Sequence, residues 1–282
     1  MTQYILTLRC RNRSGIVAAV ATRIASYGGD ITEAHQFDDA ETGMFFMRVE
    51  FAMEGPEDAF RAGIAEEVSR FDLDLTLRPA GTKRKVLLLV SKFDHCLGDL
   101  LYRMRLGELN MQAVGIVGNH PQDALNLTLM EGIPYHHLPV DKEAKHVQEG
   151  QVRALIEETG AELVVLARYM QVLSDEFSAW LSGRCINIHH SFLPGFKGAK
   201  PYHKAHERGV KMIGATAHYV TGDLDEGPII CQDVEAVSHA DRPDDLVRKG
   251  RDIERRVLAR AVASHLEDRV LINGQKTVVF AR

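Results

Sequence analysis

Residues 185–195 read Cys-Ile-Asn-Ile-His-His-Ser-Phe-Leu-Pro-Gly. Side chains alternate along an extended segment, so Asn187 and His189 share one face and Ile186 and Ile188 the other. A buried strand rarely presents an amide beside an imidazole, because each loses free energy unless it finds a hydrogen-bond partner. A second apolar segment, 214–220 (GATAHYV), carries His218 and runs into a loop, 221–228 (TGDLDEGP), that holds Asp225. An amide, an imidazole and a carboxylate meet the three needs of metal-free acyl hydrolysis or transfer: oxyanion donors, a proton carrier and a group to activate or orient water. Asn187, His189 and Asp225 are therefore the catalytic candidates, with His218 behind them to hold the Asp225 loop. Each also has an ordinary structural explanation, as a strand-end amide, a core histidine and a turn acid before Glu-Gly-Pro. The shared face of Asn187 and His189 is what brings the chemical reading level with the structural one.

Metal chemistry is not expected. His189, His190, His203, His206 and His218 are numerous, but His203-Lys204-Ala205-His206 has no carboxylate between its imidazoles and no HExxH helix occurs. His95 and Cys96 stand where an apolar strand gives way to a helix, a place that can activate a thiol. A structural or pocket-lining thiol is the favoured reading there. The same turn, residues 91–98 (SKFDHCLG), has none of the glycine spacing that lets backbone approach a phosphate, so a nucleotide is not expected.

The elements that must position these groups fall into two blocks. Residues 1–80 predict β-α-β-β-α-β: strands over 4–10, 31–37, 44–52 and 73–79, and helices over 15–27 and 57–71. Ile16, Val20, Ile24 and Tyr27 form the first helix's apolar stripe. This is a ferredoxin-like unit with helices on one sheet face, so its other face or an edge is expected to meet a partner. Residues 81–85 (GTKRK) read as a basic linker.

Residues 86–282 then alternate strands over 86–90, 111–118, 135–139 and 162–167 with helices over 122–131 and 145–159. The strand of Asn187, a helix over 202–208, the strand of His218, a strand over 229–236, a helix over 244–267 and a hairpin at Asn273-Gly274 follow. This predicts a doubly wound, mostly parallel α/β sheet with a late antiparallel portion, whose site lies at the carboxyl ends of its strands.

Composition sets the outer bounds. A chain of 282 residues, 45% hydrophobic and 26% charged, is ordinary for a globular protein. Its net charge of −5 argues against a dedicated nucleic-acid binder. The N-terminal segment lacks the apolar core of a signal peptide, and no run approaches a membrane span. Cys10, Cys96, Cys185 and Cys231 are scattered, with neither a disulfide framework nor a CxxC pair. A reduced cytoplasmic protein, without nucleic-acid or membrane partners, is expected.

Taken together, residues 91–103 (SKFDHCLGDLLYR), 164–174 (VVLARYMQVLS), 186–203 (INIHHSFLPGFKGAKPYH), 214–220, 223–230 (DLDEGPII) and 255–262 (RRVLARAV) resemble the formyltetrahydrofolate deformylases over essentially the whole chain. The Asn-x-His, Leu-Pro-x-Phe-x-Gly and Leu-Asp-x-Gly-Pro signals are general to folate-dependent formyltransferases; the HCL turn and ARYMQVL are more specific to the deformylases. The resemblance implies an N-terminal ACT domain over 1–80 and a Rossmann-like formyltransferase catalytic domain over 86–282. It implies hydrolysis of 10-formyltetrahydrofolate to tetrahydrofolate and formate without a cofactor, with formate supplied to purine synthesis and one-carbon folate pools kept in balance.

It implies catalytic roles for Asn187, His189 and Asp225, and a folate pocket lined by Arg168, Tyr169, Met170, Gln171, Val172 and Leu173 together with Thr221, Gly222, Asp223 and Leu224. It further implies a homo-oligomer and an amino-acid effector, glycine or methionine, at the turn of Asn12, Arg13, Ser14 and Gly15. That turn reads Asn-Arg-Ser-Gly where ACT domains often show Asp-Arg-Pro-Gly, and Gly195 stands where Ala or Ser is more usual.

Two other readings remain in view. A ribonucleotide formyltransferase resembles this domain but needs a glycine-rich phosphate turn where this chain has Lys92-Phe93-Asp94-His95, and a tRNA formyltransferase carries a basic extension not visible here. A folate-binding sensor would have no use for the Asn-His-Asp set.

Overall fold

The computed structural model describes residues 1–125, 128–141, 143–194 and 201–282, which form two compact units. The expectation at Gly195 lies outside the described residues. The first unit comprises Met1–Thr82 and Glu267–Arg282, the second Lys83–Leu266.

The first unit begins β1 (Thr2–Arg11), α1 (Ile16–Ser26), β2 (Asp30–Asp39), β3 (Met44–Met53), α2 (Glu57–Phe71) and β4 (Asp74–Pro79). The strands form one antiparallel sheet in the order β2-β3-β1-β4. Its core explains the periodicity. Ile16, Val20 and Ile24 on α1 and Phe60 and Ile64 on α2 pack with Leu6, Leu8, Val49 and Phe51 from alternate strand positions. Gly28, at φ +68, ends α1 in the left-handed region where glycine carries no Cβ penalty.

The second unit runs β5 (Arg84–Val90), α3 (His95–Leu106), β6 (Met111–Gly118), β7 (Tyr135–His137), α4 (Lys145–Thr159), β8 (Leu163–Leu166), α5 (Asp175–Trp180), β9 (Cys185–His189), α6 (Pro201–Glu207), β10 (Met212–Tyr219), β11 (Ile229–Ala236) and α7 (Pro243–Leu266). Seven strands form one sheet, β11-β10-β9-β8-β5-β6-β7. The pairs from β9 through β7 are parallel, and β10 and β11 add antiparallel at one side. Val86, Leu87, Leu88, Leu89 and Val90 are all fully buried, as a central parallel strand covered on both faces requires. No helix among the described residues is long and apolar enough to cross a membrane.

Three expectations change. The helix over 122–131 is only a single 3-10 turn, Gln122–Ala124, and Leu125 is already extended. Residues 126 and 127 of that segment lie outside the described residues. The short helix α5 carries too few turns to announce itself by periodicity; Ser174 caps it by accepting from the Phe177 N–H.

The third change concerns the tail. It forms the predicted hairpin, β12 (Val270–Asn273) and β13 (Lys276–Val279), but belongs with the first unit and not with residues 86–266. The reason is electrostatic. Arg48 on β3, only 1% exposed, donates to Glu33, Glu50 and the Glu267 carbonyl. Arg269 donates to Glu33, Asn273 donates to Asp39, and Arg78 pairs with Asp268. Arg48 lies between core residues Met47 and Val49, so alternation sends it to the sheet face away from the helices. Part of the face that the sequence left for a partner is thus bonded by the chain's own end.

Candidate active site

Strand register brings Asn187 and His218 together. β10 pairs with β9 so that His218 stands opposite Asn187 and Thr216 opposite His189. Asn187 Nδ2 lies 3.3 Å from His218 Nε2, and His218 Nδ1 lies 2.8 Å from the Tyr219 carbonyl. A carbonyl only accepts, so Nδ1 carries a proton and donates; in the neutral ring Nε2 then accepts from the Asn187 amide. One Asn187 hydrogen is used this way, and the second has no partner among the described residues.

Asp225 returns to these residues from the loop after β10. Its carboxylate lies 3.1 Å from His189 Nδ1 through Oδ2, and 3.7 Å from His218 Nε2 through Oδ1. Asp225 adopts φ +59, a left-handed conformation that Asp tolerates better than most side chains. The loop closes tightly at Gly227, where a Cβ would stand 1.8 Å from the Tyr219 carbonyl oxygen. Burial alone would raise the Asp225 carboxyl. The hydrogen bond from His189, with His218 beside it, more than reverses this and holds it well below the usual carboxylate range. His189 is 5% exposed, and its Nε2 has no partner among the described residues.

The strand exit is anchored too. Thr216, fully buried, donates to the Ser191 carbonyl and accepts from the Leu193 N–H and Gln232 Nε2.

A cavity of about 610 Å³ opens beside these groups, lined by Asn187, His189 and Asp225. Arg168, Tyr169, Met170, Gln171 and Val172 form another part of its wall, with Leu224. Arg168 and Met170 hold φ +66 and +54, unusual for residues with side chains. Ser91 fixes this turn by donating its N–H to the Arg168 carbonyl and its hydroxyl to the Tyr169 carbonyl. Gln148 donates to the Tyr169 hydroxyl at 2.6 Å.

Not every predicted lining residue reaches the cavity. Leu173 packs into the core with Phe177 and Leu181. Thr221, Gly222 and Asp223 stand outside the lining, and Leu224 with Asp225 represents that loop. His95 lines the cavity, but Cys96 is fully buried in the helix behind it. Burial, then the nearby Glu254 charge, raises the Cys96 thiol well above its ordinary value, so it is no nucleophile. Asn12, Arg13, Ser14 and Gly15 are exposed at the β1–α1 turn of the first unit and take no part in this cavity.

The sequence reading missed Glu254, which also lines the cavity with Phe93, His190, Tyr202 and Arg251. Glu254 is 1% exposed. Its carboxylate accepts from Tyr202 at 2.7 Å and bonds His95 at 2.8 Å, and Arg168 Nε lies 3.2 Å away. Burial would raise its carboxyl; the His95 bond and the Arg168 charge outweigh that and keep it ionised. Within α7, position 250 is glycine because the Tyr202 ring occupies the space of its Cβ, which would stand 2.1 Å from Tyr202 Cζ. The available signal was an acid on the apolar stripe of a long helix, between Gly250 and Val257-Leu258. His95, Cys96 and Glu254 place three potential ligand atoms within 4.8 Å. With a cation on the same carboxylate and a protonated thiol, the group reads as an ion network and not as a metal cage.

Residues 84–262 match the Formyl transferase family model. The chain is 51% identical over 281 residues to the formyltetrahydrofolate deformylase of Corynebacterium sp. (strain P-1), covering 99% of this chain and 98% of that one. It is 43% identical to that of Bacillus subtilis over 98% of this chain and 93% of the relative. The crystal structure of the Burkholderia mallei formyltetrahydrofolate deformylase superposes with a TM-score of 0.95, at 51% identity and full coverage of both chains. Glycinamide ribonucleotide transformylase 1 of Symbiobacterium toebii gives a TM-score of 0.64 at 27% identity, over 73% of this chain and 98% of that one. The mostly parallel sheet is thus of the formyltransferase type, and the chain belongs to the formyltetrahydrofolate deformylase family.

Proposed function

We propose that the chain hydrolyses 10-formyltetrahydrofolate to tetrahydrofolate and formate, with Asn187, His189 and Asp225 as its catalytic residues. The observation that carries the assignment is their convergence: an ionised Asp225 bonded to His189 at 3.1 Å, beside an Asn187 amide with one hydrogen to spare, on one cavity. The N10-formyl group sits between Asn187 and His189. Asp225 accepts a proton from, or orients, a water through Oδ1, the oxygen that His189 leaves open. The water oxygen bonds the formyl carbon, and the developing oxyanion takes hydrogen bonds from Asn187 and from His189 Nε2. The carbon–N10 bond then breaks, formate leaves, and N10 gains the proton lost by the water, relayed by His189 or a second water. Arg168, Tyr169, Met170, Gln171, Val172 and Leu224 hold the folate, largely through a turn whose backbone is already fixed.

The reading extends to supply of formate for purine synthesis and balance of folate pools, in a cytoplasmic homo-oligomer that needs no bound cofactor. The β-α-β-β-α-β order and the β2-β3-β1-β4 sheet support a ferredoxin-like ACT domain. Calorimetric titration of glycine and of methionine into the full chain tests the effector site at Asn12, Arg13, Ser14 and Gly15. Heat of binding that disappears in an Arg13→Ala variant is the expected result, and no heat from either amino acid removes the proposal.

Hydrolysis and transfer differ in the acceptor. Formate released from 10-formyltetrahydrofolate with no added amine is the expected result. Formate or formylated product that appears only when an amine is supplied would make the chain a transferase.

A further inference from the structure

We infer that Glu254 is a positioning residue of the reaction, acting through Arg168 and His190 on the His189 ring. The inference rests on the catalytic reading of His189 above. The links are continuous. Glu254 Oε2 lies 3.2 Å from Arg168 Nε, an ion pair whose geometry is not that of a hydrogen bond, so the link is one of charge. Arg168 Nη1 stands 2.7 Å from His190 Nδ1. The His190 ring stacks on His189, with centroids 5.1 Å apart and planes 21° from parallel. A guanidinium only donates, so His190 Nδ1 is the acceptor and its proton resides on Nε2. Burial first, then the Arg168 and His189 charges, lowers His190 to about 4, which keeps this ring neutral near pH 7. The flat face against His189 is therefore an uncharged ring in one tautomer.

Arg168 is the middle member of this chain of contacts. It is 9% exposed and belongs to a turn in the left-handed backbone region. Its charge is balanced in place by Glu254, which Tyr202 and His95 in turn fix from α6 and α3. Gly250 admits the Tyr202 ring that completes the cage. A purely structural ion pair would end at Arg168; this one continues to the residue next to the catalytic imidazole.

The test compares E254Q, R168Q and the double variant. Misplacing a catalytic group by about 1 Å costs on the order of 10²-fold, so E254Q is expected to lower kcat by roughly tenfold to a hundredfold with KM little changed. If Glu254 acts through Arg168, the double variant turns over no more slowly than R168Q alone. This comparison does not need E254Q to fold: R168Q keeps Glu254 bonded to His95 and Tyr202, and the double variant removes both charges of the pair. Multiplicative losses, or a rise in KM with kcat unchanged, would overturn the inference. Ring ¹⁵N resonances of His190 give a readout independent of turnover. One Nε2–H tautomer is expected in the unaltered chain and mixed tautomers in E254Q, and identical spectra would also overturn it. Absence of formate from the unaltered chain would instead count against the hydrolase reading.

Discussion

Asp225→Asn lowers kcat for formate release by about 10²–10⁴-fold, the range expected when a positioned acid–base group is lost. The substitution keeps size and backbone, since Asn also tolerates the left-handed conformation that Asp225 adopts at φ +59. It removes the negative charge that holds His189 at 3.1 Å and the oxygen that would receive the proton of water. Asn187→Ala acts by a different route, leaving one oxyanion donor fewer, and falls by about 10²–10³-fold. Steady-state kinetics with thermal unfolding on the same preparations separates chemistry from folding. An Asp225→Asn enzyme that keeps its turnover would end the assignment of this residue. Because its neighbours hold Asp225 well below the usual carboxylate range, its own ionisation adds no limb to the rate profile near neutrality. Any limb seen there belongs to another group.

Arg48→Met destabilises the first unit by about 3 kcal/mol and lowers its unfolding midpoint by more than about 10 °C. Arg48 is 1% exposed and is shared by Glu33, Glu50 and the Glu267 carbonyl, so its loss strands the Glu50 carboxylate and that carbonyl and leaves Glu33 to His35 and Arg269. The lower end of the usual range for a broken buried pair applies because the carboxylates keep 28% and 29% of their side-chain surface in solvent. Arg9→Met is the control. Its pair with Asp74 is 46% and 59% exposed and contributes little.

The pH dependence follows from Glu33. Burial would raise its carboxyl, but bonds from His35, Arg269 and Arg48 lower it from 4.5 to about 2. The native state therefore binds this proton more weakly than the unfolded chain. The contribution is complete above about pH 4.5 and is lost as pH falls towards about 2, so the gap between Arg48→Met and the unaltered chain narrows over that window. Calorimetry that finds the first transition unmoved would show that the network adds nothing.

Much of the site was legible because its signals are local. Asn187 and His189 stand two apart on a strand, and alternation alone puts them on one side. Asp225 stood out as an acid in a turn between two apolar runs, although its contact with His189 at 3.1 Å comes from the return of the loop against β10. Leu173 shows the opposite case. Its membership in a run of cavity-lining residues suggested contact with substrate, yet the turn of the chain after Val172 sends it into the core. Glu254 lies 65 residues beyond His189 in sequence, and nothing local ties the two together.

By itself the chain's order of residues determined the alternating elements, the apolar faces and the chemistry-bearing side chains, since periodicity and residue type act over a few positions. Only the tertiary structure decided that His218 faces Asn187, that Glu254 anchors Arg168, and that the closing hairpin joins the first unit through Arg48 and Arg269. Each of these depends on buried charges and amides finding partners from distant segments. A buried polar group is costly until some other part of the chain satisfies it, and which part does so is settled by packing.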